Sequence, residues 1–178
     1  MPDPPITNAP GSTAALDVLT VCHDRIRAQM QTLKRLAAHV QVFGADALAQ
    51  QAAANVIRYF DTAAAQHHAD EERTLFPALR AAAIGDDAQT LEALLVMLVK
   101  EHRQMTAGWQ RLRAVLSRIA EGHVADLDVE WVGAFEGLYD AHIQREERRL
   151  FPLATTLLNS NQLLAIGASI ALRRTSGH

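Results

Sequence analysis

The chain has 178 residues, 49% of them hydrophobic, a formal net charge of −3 and one cysteine. That is enough apolar material for a single core and a single domain, while the interspersed charges form neither a basic stripe for nucleic acid nor a polybasic membrane anchor. Cys22 alone excludes an intramolecular disulfide and any cysteine cluster for zinc or iron–sulfur chemistry.

Residues 1–11 hold Pro2, Pro4, Pro5, Pro10 and Gly11, so a disordered arm is expected there. Ser12 or Thr13 is placed to cap a first helix. Its apolar stripe runs Leu16, Leu19, His23, Ile26, Met30, Leu33, Ala37, Val40 in steps of three and four, which puts His23 in a core slot. Gly44 and Asp46 punctuate. A second helix then carries Val56, Phe60, Ala63, His67, Glu71 and Leu75 inward and ends near Gly85 after a kink or break at Pro77. Asp86 or Asp87 starts a third, with the stripe Leu91, Leu95, Leu98, His102, Met105, Trp109, Leu112, Leu116, Ile119 and a stop at Gly122. Asp126 or Asp128 opens a fourth, with Trp131, Phe135, Leu138, His142, Glu146 and Leu150 inward. A short fifth helix from Ser160 to about Arg174 is apolar enough to pack on the bundle or on another subunit.

Nothing alternates with period two over a useful length. The fold class is therefore all-α: an up-down-up-down four-helix bundle over 12–158, followed by an additional short C-terminal helix and tail over 159–178. The apolar runs around 91–99 and 163–172 are too short to span a bilayer, and the N-terminus lacks the basic and apolar regions of a signal peptide. A cytoplasmic protein without a membrane partner is expected.

One pattern occurs twice. His67-His68-Ala69-Asp70-Glu71-Glu72-Arg73-Thr74-Leu75-Phe76-Pro77 is matched by His142-Ile143-Gln144-Arg145-Glu146-Glu147-Arg148-Arg149-Leu150-Phe151-Pro152. On a helix, residues four apart share a face, so His67 with Glu71 and His142 with Glu146 each present an imidazole and a carboxylate to one point. Each pair is half of a metal site. His68 and Glu72 are also four apart. Alignment of the copies on Pro77 and Pro152 selects His67 and Glu71, and leaves Glu72 and Glu147 at the edge.

Depth in the bundle supports one shared site, because facing residues of antiparallel helices lie about equally far from the turn between them. His67 and His102 are 18 and 17 residues from Gly85, and the other turns match to within about one helical turn. A single His on an apolar stripe is ordinarily a hydrogen-bonded core residue. Four at one level, with two carboxylates that would each cost several kcal/mol if buried unpaired, point instead to a metal. Without metal the two carboxylates would repel, so Glu146→Gln is expected to leave the metal-free protein as stable or more stable.

Two lone histidines and two His-x-x-x-Glu motifs followed by Leu-Phe-Pro, on four successive helices, resemble the hemerythrin-like, HHE cation-binding family over about 16–157. The resemblance implies a carboxylate-bridged di-iron centre, with two iron ions joined by an oxo or hydroxo group. His23, His67, His102 and His142 would be terminal nitrogen ligands, and Glu71 and Glu146 would bridge. Zinc and manganese also accept this donor set. The oxygen-carrying members have a fifth His, four residues from the third-helix His; Leu98 and Thr106 stand there here. In those carriers the second carboxylate lies five residues after its His, at the position of Glu147.

Six protein ligands leave one open position per metal, with Phe60, Phe135, Met105, Trp109, Ile26 and Met30 to keep bulk water away. The expected function is non-enzymatic binding of O₂ or another small diatomic or anionic ligand, for sensing, carriage or iron handling. An oxidase or peroxidase acting in iron or oxidative stress is one alternative. A structural or adaptor bundle, self-associating through the fifth helix as a homo-oligomer, is the other.

Overall fold

The computed structural model describes residues 14–176; the expected arm, the capping residues Ser12 and Thr13, and His178 lie outside them. Every regular element among the described residues is helical. Helix α1 spans Ala14–Phe43. Helix α2 covers 47–82, and its course includes two π-helical turns, Phe60–Ala64 and Glu71–Leu75. Helix α3 spans Gly85–Ala120, and α4 covers 129–157 with one π-turn at Glu146–Leu150. Helix α5 spans Ser160–Ser176. Helices α1 to α4 each pack on the two neighbours expected of an up-down-up-down bundle.

The connections follow from local chemistry. Gly44 and Gly122 adopt φ of 67° and 81°, a left-handed conformation that glycine reaches without a Cβ penalty, and they end α1 and α3. Asp46 caps α2 by accepting from Ala49 N at 2.8 Å. Asp128, rather than Asp126, caps α4 through Glu130 N, also at 2.8 Å.

The chain does not break at Pro77. Proline has no N–H to give to the carbonyl four residues back, and the helix answers with a π-turn, in which Phe76 N–H reaches Glu71 O, five residues back. Pro77 then enters the first turn of the next α segment. The second copy does the same, with Phe151 N–H on Glu146 O before Pro152. The wide turn at Phe60–Ala64 shifts the stripe of α2 by one residue, so that Ala64 is buried and Ala63 exposed. In α4 the inward residue is Tyr139, at 4% exposure, and Leu138 is 39% exposed; a step of four from Phe135 to Tyr139 serves the face as well as a step of three.

The buried apolar side chains fall into two clusters. One joins Ile26 to Val40, Ala49 to Ala64, Met105 to Ile119 and Ala125 to Ile143. The other joins Ala15 to Leu19, Leu75 to Ala83, Leu91 to Leu98 and Leu150 to Leu158. Between them, at one level of all four helices, lies a layer of buried His and Glu. Helix α5 packs on the bundle and not away from it. Leu163, Ile166 and Ile170 are buried in the second cluster, roughly 1.5–3 kcal/mol apiece. Arg173 donates to Asp70 at 2.6 Å and to Thr74 Oγ1 at 2.7 Å. No helix among the described residues is long and apolar enough to cross a membrane.

Candidate metal centre

All six residues expected from the sequence meet in the polar layer: His23 from α1, His67 and Glu71 from α2, His102 from α3, and His142 and Glu146 from α4. None is more than 3% exposed. Ligand atoms of His23, His67, Glu71 and Glu146 lie within 4.8 Å of one another, and so do those of Glu71, His102, His142 and Glu146. The two groups share both carboxylates.

How each carboxylate is shared is visible in its oxygens. Glu71 sets Oε1 3.2 Å from His67 Nε2 and Oε2 3.3 Å from His102 Nε2. Glu146 sets Oε1 3.3 Å from His142 Nε2 and Oε2 3.1 Å from His23 Nε2. Each glutamate thus addresses both halves of the layer. Adjacent ligands on a six-coordinate ion with bonds of about 2.1 Å are about 3.0 Å apart, close to these spacings.

Most of the inner atoms approach one another without hydrogen bonding; His102 Nε2 and His142 Nε2, paired at 3.1 Å, are the exception. Both oxygens of Glu71 and of Glu146, and Nε2 of His23 and His67, are buried with no hydrogen-bond partner, although their neighbours are little more than 3 Å away. Their lone pairs converge on common points. Orphaned buried polar atoms cost about 1–3 kcal/mol each, and a cation between them removes that cost. The residues fit a metal site.

Around this inner set the outer nitrogens are held. His23 Nδ1 donates to Glu147 at 3.0 Å, His102 Nδ1 to Glu72 at 2.6 Å, and His142 Nδ1 to Glu101 at 3.0 Å. Arg27 in turn donates to Glu147 at 2.9 Å, and Arg145 to Glu101. A carboxylate on Nδ1 fixes the tautomer that leaves the Nε2 lone pair pointing inward, and raises its basicity. His67 Nδ1 has no such partner.

The repeat acquires a structural meaning here, because each copy grips the lone His of the other half. Glu71, Glu72 and Phe76 meet His102, with Phe76 stacked on its ring at 6.1 Å; Glu146, Glu147 and Phe151 meet His23, with Phe151 stacked at 5.6 Å. A Glu-Glu pair followed by Leu-Phe-Pro is therefore one binding unit used twice.

In the metal-free chain, protons substitute for the cation. Burial opposes charge on His142, yet the Glu146 carboxylate and the hydrogen bond to Glu101 lift it to about 10. Burial likewise opposes charge on His23 and His102, and Glu146 for the one and Glu71 for the other still raise them. Burial would raise Glu146, but His142 and His23 hold it well below the carboxylate range. His67 is lowered by burial, and His68 well below its ordinary value by burial and by His102.

Four features of the site carry contacts that spacing along the chain does not reveal. Glu101 and Arg145 have no spacing signal that ties them to His142. Glu72 and Glu147 stand at the edge of their helices, as expected, and serve as outer partners of histidines on another helix; their repetition was the available signal. Asp70 is fully buried and paired with Arg173. His68, set aside by the repeat alignment, has its ring stacked on His102 at 4.1 Å. Of the remaining histidines, His39 pairs with Asp46 at 3.0 Å and the exposed His123 lies 3.6 Å from Glu121, both away from the layer.

The chain is 26% identical over 159 residues to an uncharacterized protein of Haemophilus influenzae, a match that covers 89% of each. The family model described as hemerythrin HHE cation binding domain matches residues 14–154, a span that holds the four bundle helices as far as Ala154 and every His and Glu of the layer, and the chain belongs to the hemerythrin HHE cation-binding family.

Proposed function

We propose that the layer holds two iron ions bridged by Glu71 and Glu146, and that the protein binds O₂ or a related small ligand there without turning it over. The observation that carries this reading is the division of each carboxylate between the two halves of the site. Iron is favoured over softer or harder metals by four imidazoles and two carboxylates with no thiolate. A pair of irons so held supplies an Fe(II)/Fe(III) couple and open coordination for a small ligand.

The chain's own residues supply the setting. Glu72, Glu101 and Glu147 orient the imidazoles. Ile26, Met30, Phe60, Met105, Trp109 and Phe135, all buried, exclude bulk water from that end of the layer. A cavity of about 70 Å³ lined by Phe60, Ala65, His68, Thr106, Trp109 and Tyr139 suits a diatomic or small anion better than a metabolite. The cytoplasm is the compartment proposed for the protein, since a chain with one cysteine has no intramolecular disulfide to maintain in an oxidising environment.

The test is metal analysis with an absorption spectrum on protein from iron-supplemented cells. About two irons per chain with near-ultraviolet and visible bands are expected from this donor set, together with a reversible optical change on adding and removing O₂. One zinc per chain and a featureless spectrum would refute the di-iron assignment. Steady consumption of peroxide or Fe(II) would replace the binder with an enzyme.

A further inference from the structure

The three outer carboxylates hold their histidines alike and differ in what else holds them. Glu147 is clamped by Arg27 at 2.9 Å, and Glu101 by Arg145. Glu72 pairs, among the described residues, with His102 alone, through Oε1. The helices that carry the lone histidines explain the difference. Four residues after His23 stands Arg27, whereas four residues after His102 stands Thr106, whose hydroxyl turns back to donate to His102 O at 2.9 Å. Glu72 is also the most accessible of the three, 40% exposed against 28% for Glu147 and 17% for Glu101.

A cation bound for the layer has to cross this outer shell, because the six inner ligands are sealed from solvent. A carboxylate held by a guanidinium is neutralised, and the fixed positive charge repels an approaching ion. Glu72 keeps its charge and a second oxygen for a hydrated ion, which exchanges water for carboxylate oxygen. His68 lies one turn before Glu72 on α2, and with Thr106 it lines the cavity of about 70 Å³ beside the layer. Its Nε2 is buried with no hydrogen-bond partner. The wall behind Glu72 thus offers an uncommitted polar atom to a passing ion or to its water.

We infer that Glu72 is the port through which a divalent cation enters and leaves the layer, while Arg27 and Arg145 close the other two approaches. This rests on the metal-site reading above, and on neither the identity nor the number of the ions. Glu72 and Glu147 are then equivalent in holding imidazoles and unequal in the rate at which they pass an ion.

Stopped-flow mixing of metal-free protein with cobalt(II), followed by its visible ligand-field bands, measures entry; equilibrium titration measures affinity separately. Thr106→Arg gives the α3 side the guanidinium of the α1 side and should slow uptake about tenfold. Thr106→Met, of comparable bulk to the native side chain and without charge, should keep the wild-type rate. Thr156→Arg adds the same charge at an exposed position of α4, about 15 Å along the helix from Glu146, and should keep it too. Added salt should slow the wild type more than Thr106→Arg. Arg27→Met frees Glu147, so that two routes replace one and uptake rises about twofold; this variant carries the test if Thr106→Arg does not fold. A Thr106→Arg rate equal to that of the wild type, a Thr106→Met as slow as Thr106→Arg, or an Arg27→Met that loads no faster would overturn the port while cobalt still binds. A wild type that takes up no cobalt would instead refute the metal site itself, and the port with it.

Discussion

Removing one bridging carboxylate from the metal-free protein distinguishes two views of the empty site. Mutual repulsion of Glu71 and Glu146, the expectation from sequence, makes Glu146→Gln neutral or stabilising. The opposite sign is predicted from the structure, because Glu146 is held well below the carboxylate range and faces His142 and His23, which it raises. A His lifted from 6.5 to about 10 stabilises the fold fully below pH 6.5 and loses that contribution as pH rises through 10. At 1.36 kcal/mol per unit, the protonated His142 is worth about 4 kcal/mol at pH 7. Glu146 is the largest of the groups that raise it, so Glu146→Gln should cost the metal-free protein roughly 2–3 kcal/mol at pH 7 and under about 1 kcal/mol at pH 10. That corresponds to a melting temperature lower by about 5–10 °C at pH 7. Urea unfolding of chelator-stripped wild type and variant, followed by circular dichroism at both pH values, measures the difference; groups that titrate alike in the two proteins cancel. A stabilised variant at pH 7, or a cost that does not shrink by pH 10, would refute the proton-filled site.

Glu72→Ala and Glu147→Ala should each weaken metal binding by about 10–100-fold in chelator competition while helical content is retained. Glu136→Ala, which breaks contacts to Lys34 and Gln31 outside the layer, should leave affinity unchanged; equal effects from all three would mean the outer carboxylates act only through net charge. Gly108 faces Phe135, and a Cβ there would meet the buried ring at 3.0 Å. Gly108→Ala therefore gains about 1 kcal/mol of helix propensity and loses 1–3 kcal/mol to crowding, whereas Gly133→Ala and Gly137→Ala meet nothing and should stabilise by about 0.5–1 kcal/mol. Thermal melts that rank Gly108→Ala with the other two would show that Phe135 yields.

The site was legible where one helix face was enough to define it. His23 and His102 interrupt otherwise unbroken apolar stripes, and His67–Glu71 and His142–Glu146 obey a spacing internal to one helix. The outer shell was not legible, because Glu72 and His102 are 30 residues apart and Glu147 and His23 are 124; only packing sets which edge residue reaches which nitrogen. The π-turns escaped for a related reason. Pro77 signals a lost hydrogen bond, but whether the chain breaks, kinks or widens depends on the contacts of Phe76 and Leu79, which are both fully buried. Once a wide turn is present, three-and-four counting slips by one, and Ala64 replaces Ala63. The docking of α5 was open because an amphipathic helix fits any apolar face until Asp70, buried beside it, requires Arg173.

The polar layer between the two apolar clusters bears on cooperativity. Hydrocarbon contacts, which would otherwise make the bundle melt as one unit, are interrupted at mid-height by six ligands that in the metal-free chain are joined through protons. A pair of ions bonded to all four helices crosses that seam with far stiffer links. Loading is thus expected to change the number of units that open as well as their free energy: one in the loaded protein, and two in the stripped one, where the end that holds α5 exchanges its amides independently of the end built on Phe60, Trp109 and Phe135.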